Sequence, residues 1–436
     1  MIAASCDLGP DYEQPTTQVV PEWQQSHESA RWPSADWWRG FGSSELDALI
    51  AEAQKANYDL AAAVARVREA DAQVRIAGAP LLPTINANAG VTSERLVTTF
   101  GKFSDTPYQI APSASYVVDF WGKNEASLES AKASAHASRY DQQVISLTIV
   151  ASVANTYFQT LALDDRLRVA EQNLANAENV LSGIVAERRA GTATELDVRQ
   201  QETVVAAQRA VIPPLEQQLA QNINALAILI GEPPEQATIR AGSLAALTVP
   251  AVEPGLPAQL LAPRPDVSGA EAQLVAANAN IKVARAQFFP NVTLTAEGGF
   301  ESFALATLLS PAQGIFTLAA SAVQPIFTGG NLPGQLDLAK ARHDELVARR
   351  KTAEQITDQQ ETVLKARDAY RIADAQFRAG VVSLLTVLTT ENALFPAEDA
   401  LVQDRLANLE AVVALFQALG GGWTGQQEAS SDDGPR

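Results

Sequence analysis

Few side chains in this chain carry sharp chemistry. The single cysteine, Cys6, follows Ile2-Ala3-Ala4-Ser5. Small residues directly before a lone N-terminal cysteine suit a thiol that accepts a lipid, although no charged and apolar leader stands among the five residues before it. An ordinary thiol is the other reading. One acyl chain holds a protein to a membrane only marginally, so a stable anchor needs further chains or an inserted body. One cysteine also excludes an intrachain disulfide and any cysteine-cluster metal site. The three histidines, His27, His136 and His343, are scattered and have no paired metal-ligand spacing. No glycine-rich phosphate loop, nucleophile elbow or zinc-protease motif occurs. Catalytic residues, cofactors and metals are therefore not expected.

The composition narrows the class further. The chain has 436 residues, 47% of them hydrophobic and 19% charged, which is a folding composition rather than a disordered one. With 50 acids against 32 bases, a net charge of −18 and no basic block, a nucleic-acid surface is not expected. No run of about 18 apolar residues occurs, so no membrane-spanning helix is expected.

Residues 7–43, with Trp23, Trp32, Trp37 and Trp38, read as an extended polar arm. Apolar spacing from Ser44 to Gly78 predicts a helix, with Ser44 as N-cap and Asp47 at the third helical position. Gly78-Ala79-Pro80 ends it. The period then changes to two. Ile85, Ala87, Ala89 and Val91 alternate with Asn86, Asn88, Gly90 and Thr92 over 84–92, and Tyr116, Val118 and Phe120 alternate with Ser115, Val117 and Asp119 in a strand over about 112–120. These are two strands joined by a loop containing Gly101 and Pro107. From about Asn124 to Arg189 there is no proline and one glycine, Gly183, which predicts a helix roughly 100 Å long. Gly191 breaks it, a second helix starts near Thr194, and Pro213-Pro214 is expected to interrupt that one. Such lengths imply a coiled-coil or tubular architecture.

The pattern then recurs. Asn57-Tyr58-Asp59-Leu60 matches Arg264-Pro265-Asp266-Val267, and Leu81-Leu82-Pro83 matches Phe288-Phe289-Pro290, each pair 207 residues apart. Alternating strands follow in the second copy at about 291–300 and 315–327. Asp119-Phe120-Trp121-Gly122 is echoed by Pro325-Ile326-Phe327-Thr328. Arg189-Ala190-Gly191 matches Arg378-Ala379-Gly380, now 189 apart. The chain is a tandem duplication. The second long helix, between Arg350 and Asp374, is short by about 18 residues, roughly 27 Å of helix.

Four amphipathic strands cannot close a barrel, since membrane barrels start at about eight, and an open sheet edge cannot sit in lipid. Either the sheet lies in water or several chains pool their strands. The alanine-rich helices make either a solid coiled coil or a hollow wall, and Gln200, Gln201, Gln217, Gln218, Gln221 and Asn222 suit both.

Several stretches carry a family resemblance: Cys6…Gly9-Pro10-Asp11-Tyr12…Pro15, Trp37-Trp38-Arg39…Phe41, Arg264-Pro265-Asp266-Val267…Ala270-Glu271-Ala272-Gln273-Leu274, Ala284-Arg285-Ala286…Phe288-Phe289-Pro290, Pro325-Ile326-Phe327…Gly329-Gly330 and Ala418-Leu419-Gly420-Gly421-Gly422-Trp423. In this order they cover nearly the whole chain, which resembles the TolC-like outer-membrane efflux channels, nearest their lipoprotein branch. The resemblance implies a mainly α fold with a small β part. Duplicated antiparallel helices would form an α-helical barrel, and four strands per chain would join a trimeric twelve-stranded transmembrane β-barrel. It implies a passive exit duct for drugs or other small molecules, a homotrimer set in outer-membrane lipid of a Gram-negative cell. A periplasmic adaptor of the membrane-fusion type and an inner-membrane RND-type transporter would be its partners. Cys6 would carry the lipid, although Asp7 beside it argues in some bacteria for inner-membrane retention.

The resemblance also places function at the two helical turns. Gly191, Thr192, Leu196, Asp197 and Arg199 at the first, with Gly380 and Val381 at the second, would contact the adaptor. Leu385, Thr389 and Asn392 would line a periplasmic gate. Thr389 stands where the family has Asp, and Asn392 where its pattern allows Arg, so closure is expected to rest on packing. The plainer readings are coiled-coil core for Leu385 and a solvated face for Asp197 and Arg199. The expected layout is a lipidated arm at 1–43, a first repeat at 44–231 with its tip near 191, a second at 232–423 with its tip near 380, and a disordered tail at 424–436. The alternatives are a type I protein-secretion exit on the same fold and, from another class, a periplasmic coiled-coil scaffold lipoprotein.

Overall fold

Ser43, rather than Ser44, caps the first helix: its hydroxyl accepts from the Leu46 amide at 3.2 Å. That helix, α1 (Ser44–Ala56), stops at Asn57, and α2 (Tyr58–Gly78) begins after it. The expected single helix is therefore two. Asn57 is the cause, because its side-chain oxygen accepts from the amides of Asp59 and Leu60, at 2.9 and 3.1 Å. Its own backbone is extended, the N-cap geometry that starts a new helix. Its side-chain amide nitrogen donates to the Leu229 carbonyl at 2.8 Å, so the buried side chain is engaged at both its oxygen and its nitrogen.

The computed structural model describes Tyr12 and residues 34–98, 101–236, 239, 242–250, 264–355, 385–418 and 420–421. Cys6, Gly380, Val381 and most of the shortened stretch between Arg350 and Asp374 lie outside the described residues. Among the described residues the remaining α-helices are α3 (Lys123–Arg189), α4 (Glu195–Ile230), α5 (Pro265–Ala286), α6 (Asn331–Gln355) and α7 (Leu385–Ala418). The 67-residue α3 matches the expected run. In contrast, α4 runs unbroken through Pro213 and Pro214. Both prolines are exposed, so the carbonyls they leave without an amide partner are on the outer side of the helix, while Val205 and Leu215 stay buried on the other.

The chain divides into two compact units, each drawn from both repeats. One comprises 1–17, 65–139 and 269–351, and the other 18–64, 140–268 and 352–436. The first holds the strands. β1 (Thr84–Val91), β4 (Tyr108–Val118), β5 (Asn291–Ser302) and β6 (Gly314–Val323) form one antiparallel sheet in the order β1-β4-β5-β6. β2 (Glu94–Thr98) and β3 (Gly101–Asp105) pair as a separate hairpin where a plain loop was expected. β4 starts earlier than expected, and β6 ends at Val323, just before Gln324 and Pro325, because proline has no amide to give a sheet. Gly299 faces Ala111, which is fully buried, and a Cβ there would lie 2.5 Å from the Ala111 Cα. Glycine is required at that contact between β4 and β5. Beside the sheet, buried alanines of α3 (Ala126, Ala133, Ala137) and α5 (Ala276, Ala279, Ala284) keep side chains small enough for close helix packing. Ser130 donates to the Ala276 carbonyl at 3.0 Å.

The second unit holds the main core. Phe41, Leu46, Ile50, Val153, Phe158, Leu226 and Val413, from the Trp37–Phe41 turn and four helices, are all fully buried together. Trp37 stacks on Phe416 at 4.8 Å, and Phe41 meets Phe158 edge-on at 4.9 Å. By composition α3 has an 18-residue window apolar enough to cross a membrane, with a mean hydropathy of 1.3, although no such helix was expected. Half of that window is buried within the protein, and Val153, Ala154, Phe158 and Leu161 of α3 belong to this core. Polar rungs tie α3 to α4. Asn222 donates to the Thr156 carbonyl and the Thr160 hydroxyl, both at 2.8 Å, and buried Gln201 to the Ala177 carbonyl at 3.1 Å.

Candidate functional site

The strand register sorts the sheet's side chains into two faces. Tyr116 faces Leu294, and Leu294 faces Ala320; Ala114 faces Ile85 and Ala296, and Ala296 faces Leu318. Alternation along each strand puts Ile85, Ala87, Ala89 and Val91 on the same face as Ile110, Pro112, Ala114, Tyr116 and Val118. Val292, Leu294, Ala296 and Phe300 of β5 and Phe316, Leu318, Ala320 and Ala322 of β6 complete it. The strands carry no charge on that face. The other carries Asn86, Asn88, Gln109, Ser113, Ser115, Thr293, Thr295, Glu297, Glu301, Thr317 and Ser321. On it Asn88 donates to Ser113 at 2.9 Å and Gln109 to Glu297 at 2.8 Å.

The apolar face is open. Ile85 is 75% exposed, Phe316 73% and Leu318 70%. Strands of 8 to 12 residues fit the roughly 9–11 needed to cross a bilayer. β1 and β6 each have one unpaired edge within the sheet. Because neighbours are antiparallel throughout, β1 and β6 run in opposite directions, so the β6 edge of one copy could pair antiparallel with the β1 edge of another. At the ends of β4 and β6 where the chain enters helices, Trp121 stacks on Phe289 at 4.8 Å and donates to the Pro290 carbonyl at 2.8 Å. Ile326 and Phe327 stand about nine-tenths exposed.

The turn between α3 and α4 lies in the other unit. Gly191 has φ +80, a left-handed conformation suited to the residue that ends a helix. Thr192 returns both its amide and its hydroxyl to the Glu187 carbonyl at 3.0 Å. Thr194 and Asp197 form a reciprocal capping box: the Asp197 carboxylate accepts from the Thr194 amide and hydroxyl, both at 2.7 Å, and the Asp197 amide donates to the Thr194 hydroxyl oxygen at 3.3 Å. Those bonds, first from the hydroxyl and then from the backbone, hold the Asp197 carboxyl below the usual range. Arg199 pairs with Glu195 at 3.0 Å and Glu202 at 2.8 Å, and Arg188 with Glu195 at 2.8 Å. Asp197 and Arg199 thus shape the turn. Leu196, 64% exposed, is the large apolar side chain the turn presents outward. Thr194 and Glu195 were not among the expected site residues, although Thr194-x-x-Asp197 is a readable capping signature. Leu385, Thr389 and Asn392 fall in the first turns of α7.

No group of three side chains able to hold a metal comes together among the described residues. The model for "Outer membrane efflux protein" matches residues 49–232, 256–357 and 351–421. The chain belongs to the outer membrane efflux protein family. The pyoverdine export outer membrane protein OpmQ of Pseudomonas aeruginosa is 40% identical to it over 422 residues, covering 90% of this chain and 88% of that one. The toluene efflux pump outer membrane protein TtgC of Pseudomonas putida is 32% identical over 465 residues, 98% of this chain and 96% of that one. Among solved structures, the open state of the Neisseria gonorrhoeae MtrE outer membrane channel matches with a TM-score of 0.82 and 28% identity over 96% of this chain and 98% of its own. The outer-membrane channel OprN matches with a TM-score of 0.82 and 26% identity over 96% and 100%.

This efflux protein is an outer-membrane channel, the exit component of an efflux system, on the TolC-like fold. Its family is one of channels rather than enzymes. The amphipathic sheet follows from that role, with strands that offer apolar side chains to lipid and polar ones to an aqueous passage.

Proposed function

We propose that three copies of this efflux protein close a twelve-stranded barrel, β6 of each pairing with β1 of the next, and that the barrel is the outer end of a passive duct. The observation that carries this reading is the sheet itself, with one uncharged apolar face, one polar face and two free edges. A four-stranded sheet of that kind is satisfied in lipid only when its edges are paired.

In this reading the α3–α4 turn receives a periplasmic adaptor through Gly191 and Leu196, while Thr192, Thr194, Asp197 and Arg199 hold the turn in shape. Gly380 and Val381, at the second turn, contact the same adaptor. Leu385, Thr389 and Asn392 close the duct at its periplasmic end by packing rather than by charge, and Cys6 carries a lipid into the outer membrane. An inner-membrane RND-type transporter supplies the cargo. Relatives named for pyoverdine export and for toluene efflux favour small molecules over secreted proteins.

The test is conductance in a planar bilayer with detergent-extracted protein whose mass is measured first. A trimeric mass, discrete steps and a rise in conductance with Leu385→Ala are expected. A monomer that never enters the bilayer would sink the reading.

A further inference from the structure

Resting on the gate reading above, a further feature of α7 bears on how that gate is held. The helix contains Pro396, eleven residues after Leu385 and three before Asp399. Proline has no amide to donate, so the Asn392 carbonyl loses its helical partner and α7 lacks one rung of its hydrogen-bond ladder between these residues.

Just past that point α7 is fixed to α3. The Arg166 guanidinium grips Asp399 with two bonds, Nε to Oδ1 at 2.5 Å and Nη2 to Oδ2 at 3.2 Å, and both side chains are at least half-buried. Gln403, one turn further on, donates to the same carboxylate at 2.6 Å. Two-pronged guanidinium–carboxylate pairing fixes orientation as well as distance. Beyond it, Gln159 of α3 donates to Glu410 at 2.8 Å, and Val402, Leu409, Val412, Val413 and Phe416 enter the core.

The same stretch of α3 is held on another side. Buried Asp165 accepts from Arg168 at 2.7 Å, from the Ser243 hydroxyl at 3.0 Å and from the Leu244 amide at 2.9 Å. Arg166 therefore stands on a fixed platform, and Asp399 marks where α7 becomes part of the core.

We infer that Pro396 is a hinge and the Arg166–Asp399 pair its anchor, so that the segment 385–395 swings as the gate arm while α7 beyond Asp399 stays on α3. Arg166 and Asp399 are positioning residues: they set where the arm pivots and need not touch the cargo. With Thr389 and Asn392 uncharged, this pair supplies a directional bond near the arm that the gate positions do not.

Reconstituted full-length protein would be recorded in planar bilayers, with the thermal unfolding midpoint of each variant measured alongside. Leu385→Ala serves as the control that opens the gate. Arg166→Glu is expected to raise open probability by about five-fold or more, the lower range for one coupled contact. Arg166→Gln, the milder change, should do the same to a smaller extent if the reversal prevents folding. The exchange Arg166→Glu with Asp399→Arg should return the closed state, and Pro396→Ala should reduce openings of the Leu385→Ala protein. If Leu385→Ala opens the channel while both Arg166 variants stay closed, the anchor is wrong and the gate reading stands. If the Arg166 variants lower the unfolding midpoint without changing open probability, the pair is structural and the inference fails. If Leu385→Ala leaves the channel closed, gate and hinge fall together.

Discussion

Phe158 and Phe316 are the same side chain in opposite circumstances. Phe158, on α3, is fully buried against Phe41 in the helical core, whereas Phe316, on β6, is 73% exposed among other apolar residues of the sheet. Helices of one chain can cover one another's apolar stripes, so the core is complete in itself. A four-stranded sheet with nothing on its apolar face is not, and in water such a surface would drive association. The difference teaches that an exposed apolar surface here marks a part of the protein whose solvent is lipid.

The largest expected effect comes from truncating the pair. Phe158→Ala should cost about 3–5 kcal/mol, the usual price of a large core cavity, while Phe316→Ala should leave the unfolding midpoint nearly unchanged in detergent. Equal losses would break the comparison. Next in size is a test of faces within one strand. Leu318→Arg should cost about 2–4 kcal/mol near the bilayer midplane and lower the membrane-inserted fraction, which detergent extraction measures. Thr317→Arg, on the polar face, should insert normally. If both arginines act alike, the faces have been misassigned.

The smallest effect belongs to the capped turn, which depends on neither core nor lipid. The Asp197 carboxyl is held below its ordinary value by Thr194, so its contribution is fully present above the unfolded-state value near 3.8 and is lost as pH falls through the depressed one. The protection of the amides of residues 194–198 against exchange, taken relative to the unfolded-chain rate at the same pH, should therefore fall at acid pH in the parent protein, and in Asp197→Asn it should be lower already at neutral pH. A turn indifferent to both would remove the capping role.

Local signals read well. The period-two strands, the duplicated pattern, the length of α3 and the break at Gly191 all follow from residue type and spacing. In two helices a local signal is overridden by its environment. Pro213 and Pro214 suggest an interruption, yet α4 continues, since their exposed side leaves the unpaired carbonyls away from the core. Asn57 divides an apparently continuous helix because its side chain caps α2 while bonding to Leu229, a partner 172 residues away. The β2–β3 hairpin could have been suspected from Leu96, Val97 and Thr98 before Gly101, but alternation there is too short to stand out.

The candidate site was legible only in part. Family resemblance names the tip residues as candidates, and the capping box among them is readable from Thr194 and Asp197 alone. The Arg166–Asp399 pair is not, because its partners are 233 residues apart and no local pattern links them.

Sequence by itself determined which residues alternate, which stretches are helical and that the chain is doubled, since these depend on side chains a few positions apart. Tertiary structure alone decided that β1, β4, β5 and β6 share one register, so that their apolar residues fall on a single face. It also decided that α7 is gripped by α3 just beyond its proline. Both depend on long-range pairings, whose energies are set by shape and distance in the folded chain rather than by neighbours along it.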